Sequence, residues 1–167
     1  MSSQYYYLVA SLPGLEFDKK PPISREAFLS ECGKWMSEKD FAALAAADIK
    51  DFAPHASGSG MAAEWKTFDG AFRTEIAASR RPSKETGRAR TSGAVQEVFT
   101  AATPLDAEKV FEKNRWYFLE SRDTVYHFDV NTLIAYYLKL QICERLAGFD
   151  REKGEKVFAG LCEVKYD

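Results

Sequence analysis

Between Phe128 and Cys162 the chain reads FDVNTLIAYYLKLQICERLAGFDREKGEKVFAGLC, and this stretch narrows the choice of fold more than any other. Val130, Leu133, Ile134, Tyr137, Leu138, Ile142 and Leu146 recur mostly three or four apart, the spacing of one helix face. Asp129 stands where an N-cap accepts a backbone N–H, and Gly148 where a helix stops. The apolar arc is too wide for a helix lying on a surface, so this helix is expected at the centre of a bundle. After Asp150, a second cap, Val157, Phe158, Leu161 and Cys162 share one side of a further helix, which is expected to pack inward and complete a helical pair.

The remaining elements are arranged to cover that pair. Tyr5–Leu12 has strand propensity but no strand partner, so a short packed helix or extended segment is expected, ended by Pro13-Gly14. Ser24 caps a helix with Phe28, Leu29, Cys32, Trp35 and Met36 along one face. Ser37-Glu38-Lys39-Asp40 resembles a capping box opening another, with Phe41, Leu44, Ala45 and Ile49 inward. Met61, Trp65, Phe68, Phe72 and Ile76 form the clearest seam of an amphipathic helix. Val95, Val98, Phe99 and Ala102 make a shorter set. Thr103-Pro104-Leu105-Asp106 is a helix start, with Ala107, Val110, Phe111, Asn114, Phe118 and Ser121 along the stripe that follows. No strand pair is legible. The expectation is an all-α single domain over residues 1–167, a bundle of about six helices with a basic connecting segment at about 80–92.

Chemistry is sparse. His55 and His127 have no second His, Cys or carboxylate at metal-ligand spacing, so no metal is expected. Ser57-Gly58-Ser59-Gly60 lacks the Lys-Ser/Thr ending of a nucleotide-binding loop and reads as a flexible cap, and no cofactor is expected. Asp106, Glu108 and Glu112 lie together on one helix, but an acid–base pair needs a desolvated member, and these carboxylates are expected to face water. Cys32, Cys143 and Cys162, an odd and widely spaced set, read as buried small hydrophobes in a reducing cytoplasm. No nucleophile–base pairing is legible, so no catalytic residue is assigned and the chain is not expected to be an enzyme.

Charge is distributed unevenly. From Arg73 to Arg90 six Arg and Lys stand against Glu75 and Glu85, a local +4 in a chain whose net charge is −2, which leaves −6 elsewhere. Arg80, Arg81, Lys84, Arg88 and Arg90 are therefore the candidate partner-docking residues, for an acidic protein surface or phosphate. Nucleic acid is the weaker reading, because no stacking aromatics interrupt the run. No apolar run approaches the ~20 residues of a spanning helix, and the N-terminus lacks a basic start, so direct membrane insertion and secretion are not expected.

Four segments carry a family resemblance: YYYLVASLPGL (5–15), KPPIS followed by FLSEC (20–32), TEIAASRR (74–81) and FDVNTLIAYYLKLQICERLAGFDREKGEKVF (128–158). In these the chain resembles a bacterial domain-of-unknown-function family encoded among the genes of V/A-type ATPases, at the place usually held by the C subunit (d in eukaryotes). The resemblance implies an all-helical fold similar to part of the C subunit. It also implies a non-catalytic role linking the membrane rotor ring to the central stalk. Partners would be other ATPase subunits, and the location cytoplasmic, peripheral to the inner membrane. The chain is shorter than a full C subunit, so only part of that body is implied. The alternative is a cytoplasmic helical adaptor or regulatory protein-binding module unrelated to the ATPase.

Overall fold

The computed structural model describes residues 5–51, 59–80, 91–149 and 151–162. These form eight helices and no strand, so the all-α expectation holds and the count exceeds the expected six. In chain order they are α1 Tyr6–Ser11, α2 Arg25–Trp35, α3 Glu38–Ala45, α4 Met61–Ser79, α5 Gly93–Thr100, α6 Pro104–Arg122, α7 Val130–Ala147 and α8 Arg151–Cys162. Among the described residues no helix is long and apolar enough to cross a membrane.

Four caps are made by side chains that the sequence places before their helices. The side chains of Ser24, Ser37, Thr103 and Asp129 each accept the N–H three residues on, from Ala27, Asp40, Asp106 and Thr132. Each satisfies a donor that the first helical turn otherwise leaves unpaired. The fifth long start is different. Gly60 precedes α4 with φ +94°, and the Met61 N–H is capped across the fold by Asn131 Oδ1 of α7, at 2.9 Å. A Cβ on residue 60 would lie 2.6 Å from that oxygen, so both the backbone conformation and the space require glycine.

Helix α7 is central, as its wide apolar arc requires. It packs against α2, α3, α4 and α6. Leu133, Leu138, Leu140, Ile142 and Cys143 are fully enclosed, joined by Phe28 and Cys32 of α2, Leu44 of α3, Met61 and Trp65 of α4, and Leu119 of α6. Phe28 stacks between Tyr136 and Tyr137 at 5.2 and 5.5 Å. A satellite cluster of Phe72, Ile76 and Val95 joins α4 to α5. Tyr5, just before α1, and Leu8 within it reach the core, whereas Tyr6 and Tyr7 stay exposed. The Tyr5 N–H donates to Phe128 O and its hydroxyl to Asp40, so the N-terminal segment is tied to the turn before α7 and to α3.

Polar side chains of α7 fasten its neighbours. Gln141 donates to Ala47 O at 2.9 Å and accepts the Ile49 N–H at 3.1 Å, engaging the segment that follows α3 as another strand of backbone would. Glu144 accepts the Arg25 N–H at the start of α2 and pairs with the Arg25 guanidinium. Lys139 pairs with Asp123 at 2.8 Å. These side chains tie α7 to α2, to the segment after α3 and to the end of α6.

Four expectations are corrected. Val157, Phe158 and Leu161 of α8 are 62, 70 and 79 % exposed, and Cys162 is exposed too; the helix keeps its apolar side but turns it to solvent. Periodicity shows that a helix is two-sided and says nothing about what meets the apolar side. Trp35, read as core, is more than half exposed and lies against the Tyr7 ring at 5.5 Å. Ala45 is exposed, and Leu44 alone of α3 is fully buried. On α6 the expected stripe is half-buried: Phe111 and Phe118 stack on Phe72 and Phe68 of α4. The deepest face is instead Glu112, Arg115, Trp116 and Leu119. Its two charged members hid it from a search for apolar spacing.

Candidate functional site

The carboxylates expected in water are the starting point, because one of them is not there. Asp106 is exposed and Glu108 half-buried, but Glu112 is 0 % exposed. One turn of helix later, Arg115 is 1 % exposed, and its single Nη1 donates to both Glu112 oxygens, at 2.8 and 3.0 Å. Its Nη2 donates to Ile49 O at 2.5 Å. Its Nε lies 2.9 Å from Asp69 Oδ1 of α4, a charge contact without hydrogen-bond alignment, since neither atom finds an aligned partner. Asp69, itself 0 % exposed, accepts from Arg73 Nε at 2.7 Å. Arg145 of α7 closes the set, pairing with Glu108 and lying 3.2 Å from Glu112. Three carboxylates thus face three guanidiniums across α4, α6 and α7.

Rings enclose the cluster. The Arg115 guanidinium lies 4.7 Å from the centroid of the Trp65 ring and 5.1 Å from that of Phe111, and the Arg73 guanidinium also lies 5.1 Å from the Phe111 centroid. Burial sets the titration here: it pushes the Glu112 carboxyl up from its ordinary value against the opposing pull of Arg115. The same burial lowers Arg115, whose carboxylate neighbours oppose the shift. Desolvating charges costs several kcal/mol per ion, and pairing offsets this only when nearly every donor is used. The cluster joins α4, α6 and α7 through these ion pairs.

The solvent side of this joint is a groove of about 670 Å³, a volume usual for a ligand site. Arg73, Arg115 and Arg145 line it with Glu108 and Glu112, and so do Lys50 and Arg80. Ile76, Val98 and Phe111 supply an apolar wall. Of the docking residues expected from sequence, Arg80 is therefore on the groove, at the C-cap of α4, and exposed. Arg81, Lys84, Arg88 and Arg90 lie outside the described residues, as do His55, Ser57, Gly58 and Asp150. His127 is exposed.

A second surface is apolar. Leu105 at the start of α6, Phe149, and Val157, Phe158 and Leu161 of α8 line a depression of about 750 Å³. A Cβ at Gly154 or Gly160 of α8 would meet nothing within 4 Å, so that helix carries no close neighbour at those points. Cys32 and Cys143 are buried, their thiols pushed up to about 12 and about 11 by burial, as expected of small hydrophobes. Among the described residues no group of His, Cys, Asp and Glu is placed to hold a metal.

The stretch from α5 to the end of α8 contains both the most buried helix and the most exposed apolar one. Residues 93–164 match a family described as Protein of unknown function (DUF2764). No curated protein and no solved structure matches the chain. Of the four segments carrying the sequence resemblance, 128–158 lies inside the DUF2764 match, and 5–15, 20–32 and 74–81 lie outside it. The match covers Glu108, Glu112, Arg115 and Arg145 and the whole apolar depression, while Asp69, Arg73 and Arg80 belong to the preceding half.

Proposed function

We propose that the chain is a non-catalytic component or accessory subunit of a V/A-type ATPase, C-subunit-like, working between rotor ring and central stalk. The observation that carries a docking role is α8. A twelve-residue helix displays Val157, Phe158 and Leu161 to solvent beside exposed Phe149 and Leu105. Contiguous apolar surface of this kind is characteristic of an interaction face. A helix of a neighbouring ATPase subunit, laying its own apolar stripe along α8, is the occupant this reading assigns. The ATPase itself is supported by the resemblance in the segments at 5–15, 20–32, 74–81 and 128–158. In that resemblance the C subunit binds no nucleotide and transmits torque, a role that asks for packed helices and docking faces.

The test is purification of the ATPase from the native source, with and without charge substitution on α8. A stoichiometric copy of this chain is expected in the wild-type complex, and Val157→Asp with Phe158→Glu should remove it while the free chain keeps its melting temperature. Absence of the chain from the complex overturns the ATPase reading. A chain retained despite both substitutions overturns α8 as the docking face.

A further inference from the structure

The groove over the ion cluster carries charge that the cluster does not consume. Asp69, Glu108 and Glu112 are matched one for one by Arg73, Arg115 and Arg145 through the contacts above. Lys50 and Arg80 remain. They come from different elements, the segment after α3 and the end of α4, and both line the groove. Neither side chain has a carboxylate partner among the described residues, so among those residues the groove carries a surplus of two positive charges. The two line one concavity, and an anionic ligand would offset their charge.

Ile76, Val98 and Phe111 line the same groove, and Phe111 is stacked on Phe72. Cations and an aromatic–aliphatic wall in one groove are the two halves of a site for an organic anion. A phosphate monoester carries about −1.5 to −2 at neutral pH and offers three acceptor oxygens to Lys and Arg donors.

We propose that this groove binds a small organic phosphate monoester, its phosphate held by Lys50 and Arg80 and its apolar or aromatic part against Ile76, Val98 and Phe111. The site is independent of α8 and of the ATPase reading.

Calorimetric titration of the full chain with AMP, inorganic phosphate, adenosine and a hexaglutamate peptide tests it. AMP is expected to bind saturably, inorganic phosphate more weakly and adenosine not measurably. Lys50→Glu with Arg80→Glu should weaken AMP more than about tenfold, since two charge-assisted contacts are reversed. The double variant should melt within a few degrees of wild type, because both residues are exposed. Lys50→Ala with Arg80→Ala should weaken binding in the same direction, and if the reversal variant fails to fold, this pair decides. Three results overturn the proposal: AMP affinity weaker than about 1 mM, affinity unchanged in either double variant, or adenosine binding as well as AMP. Hexaglutamate binding more tightly than AMP also overturns it, and would assign the groove to carboxylates of a protein partner.

Discussion

Replacing Arg115 by methionine leaves the stem of the side chain in place and removes the charge that joins three elements. Glu112 keeps only Arg145 at 3.2 Å, Asp69 keeps Arg73 at 2.7 Å, and Ile49 O loses its side-chain donor. Both carboxylates are fully enclosed, so they become buried charges with half their compensation. Breaking a buried ion pair from one side costs about 3–5 kcal/mol. For a chain of this size each kcal/mol lowers the melting temperature by roughly 2–4 °C, so a fall of roughly 6–20 °C is expected. Urea unfolding followed by far-ultraviolet circular dichroism reads the free energy directly, with the midpoint falling and the slope unchanged.

The effect also has a pH signature. Burial already raises the Glu112 carboxyl above its ordinary 4.5, and Arg115 opposes that shift, so its loss raises the carboxyl further. An acid whose folded value exceeds its unfolded value binds more protons when folded, so stability falls as pH rises between the two. The penalty is complete above the folded value and vanishes below the unfolded one. The gap between Arg115→Met and wild type should therefore narrow as pH falls from 7 towards 4.5. Combining Arg115→Met with Glu112→Leu and Asp69→Leu, which removes the stranded charges, should recover most of the loss. A loss under about 1 kcal/mol at pH 7, or one that does not change with pH, refutes the claim that the cluster is desolvated.

Gly60→Ala should destabilise by about 1–3 kcal/mol in the same urea assay, because it forces φ +94° on a residue with a Cβ and drives that atom into Asn131 Oδ1. Leu138→Ala, at a fully enclosed position of α7, should cost about 2–5 kcal/mol, and a neutral result would mean that α7 is not the core. Thiol labelling of the native chain should proceed quickly at Cys162 alone, with Cys32 and Cys143 reacting only on unfolding; a second fast thiol would contradict the burial of α2 and α7.

The sequence makes the local decisions of this fold readable and leaves some of the global ones hidden. Caps at Ser24, Ser37, Thr103 and Asp129 are short-range chemistry, fully specified by a residue and the N–H three places on. The centrality of α7 is readable because an apolar arc that wide has no other way to leave water. The buried face of α6 is not, since Glu112 and Arg115 look like the solvated half of an amphipathic helix until Asp69 of α4 is placed beside them. A helix-spaced Glu–Arg pair is common on surfaces, and only the third charge, 43 positions away in a chain of 167, decides otherwise. α8 fails in the opposite sense: its apolar side is real, but whether the chain itself covers that side is a matter of tertiary packing. Arg73, Arg80, Glu108 and Glu112 of the groove stood out in the sequence, whereas Lys50 carries no neighbouring signal and joins them only through the turn after α3.

Ile49 gives the cluster a mechanical meaning. Its N–H is taken by Gln141 of α7 and its carbonyl by Arg115 of α6, so one residue of a third segment serves as a crossbeam between these two helices. Sliding α6 along α7 requires both bonds to break together, with the Glu112 and Asp69 contacts of Arg115 giving way at the same moment. The assembly therefore resists shear as one block and yields all at once, so the Ile49 amide should exchange its hydrogen only on the timescale of global unfolding.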